Sequence, residues 1–244
     1  MRAVGPGLLR GTRQIQPERI REILADVWGE DAGQADRLAT ACLDVLSVAG
    51  ASATVVVAGG PPELLCCSGA IAGRIQHLQY TLGEGPGLDA DQTGLPVGEA
   101  DLASPRRVRW PMLAEGAGTT GAAALFAFPL RVGGVRLGAL TLNQPRAGGL
   151  SDAQHTDAAG MADVALQVAL ALRAGAPPGP LPVGLEALGD GRAEVSRAAG
   201  MVSVQLSVDV AEALVRLGAR SLREGRPLPE LAADVVARRV RFEA

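Results

Sequence analysis

The chain contains no lysine: all 23 positive charges among its 244 residues are arginine. A Walker-type phosphate loop, a protein-kinase strand lysine and a Schiff-base lysine for pyridoxal phosphate all need that ammonium group, so these chemistries are excluded. Aromatic residues are nearly as scarce, at 2%: Trp28, Trp110, Tyr80, Phe126, Phe128 and Phe242 are the whole set. The core must be built from Ala, Val and Leu, and a platform on which successive bases stack has no material. Cys42, Cys66 and Cys67 are odd in number and lack a C-x-x-C spacing. That implies neither a disulfide framework nor a zinc site and fits a reducing compartment. No stretch reaches the roughly 18 consecutive apolar residues of a membrane helix, and the N-terminal MRAVGPGLLRGTRQIQ has no apolar signal-peptide segment. The expectation is a soluble, cytoplasmic protein with no membrane partner.

What is present is a globular composition, 48% hydrophobic and 20% charged, long enough for one large or two small domains. The net charge of −3 is uneven. Residues 1–192 carry 15 Arg against 19 acids, whereas residues 193–244 carry 8 Arg against 7. The C-terminal part is therefore the less repulsive surface for a polyanion.

Hydrophobic periodicity divides the chain. Helical spacing over Pro17 to Trp28 and again over Ala35 to Ala49, with Gly50 as the stop, predicts two helices. Two β-type runs follow, Ala53 to Ala58 and Glu63 to Ser68, around a Gly59-Gly60-Pro61-Pro62 turn. A helix is expected near Gly73 to Tyr80, then an irregular glycine-rich stretch from Leu82 to Ala90, a short strand from Leu95 to Ala100 and a helix near Trp110 to Gly116. The strongest hairpin joins Ala122–Val132 to Val135–Asn143 through Gly133-Gly134. Ser151 and Gln154 form a capping box for a helix reaching Arg173. That helix carries a second apolar stripe, Leu166 and Leu170, which predicts a homodimer contact. Residues 174–192 are rich in Pro and Gly and read as a linker. Three short helices should follow: one on Val195, Ala199, Val202 and Leu206, one from a Ser207 N-cap to Gly225, and one opening at Pro229 and ending in Arg238, Arg239 and Arg241.

The local motifs that hint at chemistry fail on inspection. Asp89-x-Asp91-x-Thr93-Gly94 copies the first half of a calcium loop, but its twelfth position is Ala100 and Pro96 interrupts it, which leaves a plain turn before a strand. Gly83, Gly85 and Gly87 lack the Lys-Ser/Thr of a phosphate loop, and Pro86 removes an amide donor. Ser151, Asp152 and His155 sit within one helical turn, where no nucleophile, base and orienter can be aligned. His77 and His155 have no second ligand at metal spacing. No catalytic residue, metal ligand or cofactor is assigned, and the expectation is a protein that is not an enzyme.

Two longer segments carry a resemblance. Residues from about Gly33 to Arg173, with LQYTLGEGPGLDA, RWPML and FAFPLRVGGVRLGALTLN, resemble a GAF sensor domain of the type found in actinobacterial regulators. Residues from about Ala193 to Phe242, with AAGMVSVQLSVDVAEALVRL and RPLPELAADVVARRVRF, resemble an ANTAR domain. The resemblance implies an α+β fold: a GAF-type antiparallel sheet flanked by helices, followed by a small all-α three-helix module. It implies the boundaries 1–32 for an N-terminal tail and short helix, 33–173 for the sensor, 174–192 for the linker and 193–244 for the module. It also implies transcription antitermination, in which a dimer binds paired RNA hairpins under control of the sensor. Where the loop of many related GAF domains has Cys, this chain has Gly87, which removes a thiol sensor.

Candidate residues follow. With no lysine, RNA affinity has to come from arginine, and Arg197, Arg216, Arg220, Arg238, Arg239 and Arg241 are the candidates. A small effector of unknown identity would sit between the sheet and the loops at Tyr80 to Leu88 and Trp110 to Leu113, lined by Tyr80, Trp110, Phe126 and Phe128. Two other functions compete: a sensor whose helical module binds a protein partner, and a thiol-dependent GAF-fold reductase, for which only the three cysteines are available.

Overall fold

The structure is a computed structural model that describes residues 17–28, 33–56, 62–104, 109–175 and 192–243. The expected N-terminal tail, most of the Gly59 to Pro62 turn and linker residues 176–191 lie outside the described residues.

Helices α1 (Pro17–Trp28) and α2 (Gln34–Leu46) form where the apolar spacing predicts them and bury Ile23, Leu24, Val27, Leu38, Cys42 and Leu46. Helix α2 stops earlier than expected. Ser47 takes the left-handed conformation at φ 52°, and the Leu46 carbonyl accepts from Gln154 Nε2 at 3.1 Å, so Gly50 is free to begin strand β1 (Gly50–Val55). Strand β2 (Glu63–Ser68) pairs antiparallel with β1. Helix α3 (Ala72–Leu82) comes next.

The stretch from Leu82 to Ala90 is not irregular, which corrects the expectation. Gly83 closes α3 at φ 66°, and helix α4 (Pro86–Thr93) begins with proline in its first turn and closes on Gly94 at φ 67°. The glycines mark helix ends instead of abolishing helices, and Pro86 sits where a missing N–H is harmless. The calcium-like Asp89 to Gly94 segment is therefore helix and cap, not a turn.

Strand β3 (Val97–Glu99), helix α5 (Pro111–Thr120) and the hairpin of β4 (Ala124–Val132) and β5 (Val135–Gln144) complete an antiparallel sheet of order β2-β1-β5-β4-β3. Helix α6 (Asp152–Arg173) opens with the expected capping box, in which Gln154 N–H donates to Ser151 Oγ at 3.2 Å. Alternation along the strands divides the sheet into two faces. Phe126, Phe128, Leu140, Leu142, Ala51 and Ala53 face the core shared with α1, α2 and α6. Leu125 joins Ile75, Trp110 and Leu113 in a second core on the opposite face, under α3 and α5.

Helices α7 (Arg192–Leu206), α8 (Val210–Glu224) and α9 (Leu228–Val236) pack on one another and continue the first core through Val195, Val202, Leu214, Leu217, Leu231 and Val235. Helix α8 also lies against α6 and β5, and α7 against β4. Two details differ from expectation. Ser207 is not an N-cap: it takes φ 55° in the turn after α7, and Asp209 caps α8 by accepting from Glu212 N–H at 2.9 Å. Helix α9 ends at Val236, so Arg238, at φ 60°, and the arginines after it belong to the following turn.

Leu166 and Leu170 require a correction. They are 1% and 2% exposed within the single chain, because α6 is enclosed by α1, α2, the sheet and α8. The stripe reserved for a second copy is used by the chain itself. No single helix among the described residues is long and apolar enough to cross a membrane.

Candidate ligand site between the sheet and helix α3

The second sheet face changes character between β4 and β1. Leu125 and Ala127 are apolar, but β1 contributes Ser52 and Thr54, and β5 contributes Thr141 and Asn143. In the antiparallel register Ser52 pairs with Thr141 and Gly50 with Asn143, which brings these side chains together on one face. Helix α3 lays two glutamines over them. Gln79, 1% exposed, accepts the Gly87 N–H at 2.8 Å with Oε1 and donates through Nε2 to Gln76 Oε1 at 3.3 Å. The same Gln76 oxygen accepts from Ser52 Oγ at 3.2 Å.

Two groups in this layer are left over. Thr141 and Asn143 are 3% and 2% exposed, yet Thr141 Oγ1 and Asn143 Nδ2 have no hydrogen-bond partner among the described residues. A buried, unpaired polar group costs free energy on the order of 1–3 kcal/mol. The backbone fits closely around Gln79. A Cβ at Gly85, where φ is 142°, would lie 2.5 Å from Gln79 Oε1, and one at Gly87 would lie 2.9 Å from Thr141 Oγ1. Glycine is required at the first position by both conformation and space, and at the second by space.

Beside this layer, an open groove of about 270 Å³ runs between β2 and α3, lined by Thr54, Pro62, Leu64, Gln76, His77 and Tyr80. Gln76 belongs to both the groove and the buried layer. Of the four expected pocket aromatics, Tyr80, 58% exposed, lies on this groove. Trp110 is buried in the second core, where its Nε1–H donates to Asp89 Oδ2 at 3.0 Å. Arg109 bonds the same carboxylate at 3.0 Å and lies 5.4 Å from the Trp110 ring centroid. Phe126 and Phe128 point to the other face, edge-on to His155 at ring distances of 6.4 and 5.7 Å. The four do not line one pocket, because strand alternation separates the phenylalanines from Tyr80 and Trp110.

The thiols form no pocket-facing set either, although Cys42 and Cys66 lie close enough for one to push up the other. Cys42 and Cys66 are buried in the first core, and Cys67 is half-buried on the side of Gly73. Burial raises all three above the ordinary thiol range, with Cys66 pushed up to about 12, so little reactive thiolate forms near neutrality.

The arginine candidates are gathered on the C-terminal helices, and most are ion-paired there. Arg197 pairs with Glu194 at 2.5 Å, Arg216 with Glu212 at 2.7 Å, Arg220 with Glu224 at 2.6 Å and Arg239 with Asp234 at 2.6 Å. Arg220 also donates to the Arg241 carbonyl at 2.8 Å and lies 4.9 Å from the Phe242 ring centroid, which ties the chain end to α8. The Arg238 and Arg241 side chains are exposed, and so is Arg223, which the sequence pattern did not single out. Hydrogen bonds from Arg226 and Arg239 hold the Asp234 carboxyl below its usual range.

A further cavity, of about 430 Å³, lies where the hairpin meets the C-terminal helices. Asp91, Arg136, Gly134, Ser196 and Asp209 are among its lining residues. Burial pushes the Asp91 carboxyl up, partly offset by Arg136 and the Gly138 N–H, and Asp91 Oδ1 has no hydrogen-bond partner among the described residues.

The chain is similar to the GAF domain of a phosphoenolpyruvate-protein phosphotransferase from Coxiella burnetii. Identity is 16%, the match covers 66% of this chain and 99% of that one, and the TM-score is 0.46. The GAF domain of an Acinetobacter phosphoenolpyruvate-protein phosphotransferase is similar at 14% identity, covering 65% of this chain and 95% of that one, with a TM-score of 0.48. A type II free methionine-R-sulfoxide reductase from Thermoplasma acidophilum is similar at 17% identity, covering 53% and 87%, with a TM-score of 0.40. No protein-family model matches the chain, and no curated protein matches it in sequence. Likenesses of this size assign no role to any residue.

Proposed function

We propose that the chain is a signal-responsive regulator. A GAF-type sensor, residues 33–173, controls an ANTAR-type three-helix module, residues 193–244, that binds paired RNA hairpins and acts by transcription antitermination. One observation carries the control part of this proposal: α7 and α8 pack directly on the sensor's β4, β5 and α6 and share its apolar core. A shift in the sheet therefore has a packed route to the helices that carry the arginines. The polar layer under α3 is the place where a small effector would act on that sheet. RNA recognition would fall first to the exposed guanidinium groups of Arg238 and Arg241, with Arg197, Arg216, Arg220 and Arg239 exchanging their helix carboxylates for phosphate. Few charges per copy make a homodimer part of the proposal, since two linked modules gain affinity through effective concentration. Its contact would have to lie away from Leu166 and Leu170.

A second function is favoured by a specific observation. Four of the six candidate arginines are already paired with nearby carboxylates, and a surface of closed ion pairs also suits a protein partner. Sequencing of RNA crosslinked to the chain in its source cell separates the two. Enrichment of paired-hairpin transcripts supports antitermination, and recovery of RNA no different from a background control leaves the protein-partner function.

A further inference from the structure

We infer that the Gln79 carboxamide is a built-in occupant of a sensing site whose exogenous ligand is a small uncharged molecule carrying a carboxamide or a similar carbonyl group. The inference rests on the sensor part of the proposed function. It starts from an imbalance of hydrogen bonds. Gln79 Oε1 takes the Gly87 N–H, while Thr141 Oγ1 and Asn143 Nδ2, both buried beyond nine-tenths, are left in the same layer without partners among the described residues. One side-chain amide therefore satisfies part of a surface that offers three donors: the Gly87 amide, the Thr141 hydroxyl and the Asn143 amide. A carbonyl that replaced Gln79 would meet donors its own oxygen cannot all reach, and a neighbouring acceptor on the ligand would take the remainder.

The charge of the ligand's head follows from the lining of the buried layer, while His77 lies on the open groove beside the body. Ser52, Gln76, Gln79, Gly87, Thr141 and Asn143 include no ionisable group, and burying an ion among them would cost far more than burying an amide. Its shape follows from the groove. Gln76 links the buried layer to the open cleft against Leu64, Pro62 and Tyr80, so the ligand would place its amide head under α3 and its apolar body along β2. Gln79 must leave for the head to enter, and its departure frees the Gly87 N–H at the start of α4. Helix α4 packs on β4 and β5, the hairpin that α7 and α8 also touch.

Chemical rescue tests this on the full chain. Gln79→Ala removes a fragment the size of acetamide. Acetamide titrated against the variant should raise its thermal midpoint in a saturable way, as expected for a ligand that binds only the folded state. Acetate, the charged analogue, should not, and neither compound should produce a saturable rise in the wild type. Adding Thr141→Val to Gln79→Ala should weaken the acetamide response roughly fivefold, the size of one neutral hydrogen bond. An equal response in wild type and variant, or acetate matching acetamide, overturns the inference. Should Gln79→Ala not fold alone, folding rescue decides: a variant that folds when acetamide is added and not when acetate is added supports the site, and one left unfolded by both overturns it. RNA binding measured on the same samples separates the two failures. Acetamide rescue without structured-RNA binding keeps the site and removes antitermination, and RNA binding without rescue does the reverse.

Discussion

Thr141→Val should stabilise the protein, although it deletes a polar group from the middle of a sheet. Thr141 is 3% exposed on β5, opposite Ser52, and its hydroxyl finds no partner among the described residues. Valine keeps the branched shape and the strand preference, so packing and backbone are nearly unchanged. What changes is the penalty for holding an unpaired hydroxyl away from water. Relieving it should contribute about 1 kcal/mol, at the low end of the cost of an unsatisfied buried group. In a chain of this size that corresponds to a thermal midpoint about 2–4 °C higher. Calorimetry or a dye-monitored melt on the full chain measures it. Ser52→Ala is the control with the opposite sign, because it deletes a made hydrogen bond, from Ser52 Oγ to Gln76 Oε1, and leaves that oxygen with Gln79 Nε2 as its remaining donor. A fall in midpoint for Thr141→Val comparable to that of Ser52→Ala would refute the account of this face.

Other outcomes follow from the same structure. Leu166→Glu with Leu170→Glu should abolish the near-ultraviolet circular dichroism instead of yielding folded monomers. Each lost leucine costs about 2–5 kcal/mol before the buried charges are counted; a folded, monomeric double variant in sedimentation would contradict this. Asp91→Asn should stabilise at neutral pH and not at acidic pH. The folded state raises the Asp91 pKa, so its ionisation costs stability as pH rises through that raised value, and denaturant melts at two pH values read the difference. Asp234 behaves oppositely. Its lowered pKa gives stability that is present above the ordinary carboxylate range and lost as pH falls through the folded value, so Asp234→Asn should flatten the acid limb of the melting profile of α9.

The elements with purely local causes were legible from the sequence. The hairpin around Gly133-Gly134 and the Ser151–Gln154 capping box are fixed by neighbours a few residues apart, and both stand where expected. The polar sheet face also left a signal. Ser52 and Thr54 alternate with alanine and valine, and Thr141 and Asn143 with leucine, a period of two that marks one side of each strand. Its meaning was hidden because the pairing of β1 with β5 spans a long stretch of sequence, and Gln79 arrives from a third element. The pocket aromatics failed for the related reason that composition says nothing about which face a side chain joins. Leu166 and Leu170 looked surplus because a helix with two apolar stripes can be covered by a second copy or by distant parts of its own chain, and here α1, α2 and α8 provide the cover. The glycine-rich stretch after α3 misled because glycines that close helices and glycines that prevent them look alike until the φ angles are known.

RNA binding is the central claim. Binding of the full chain to a paired-hairpin RNA and to a scrambled RNA of equal length, titrated across salt, is the most direct measurement. The expected result is tighter binding to the paired hairpins at moderate salt. The slope of log affinity against log salt should flatten by about 0.7–0.9 for each contact removed by Arg238→Ala or Arg241→Ala. Equal affinity for both RNAs, with slopes indifferent to these arginines, would contradict the antitermination function and leave the three helices to a protein partner.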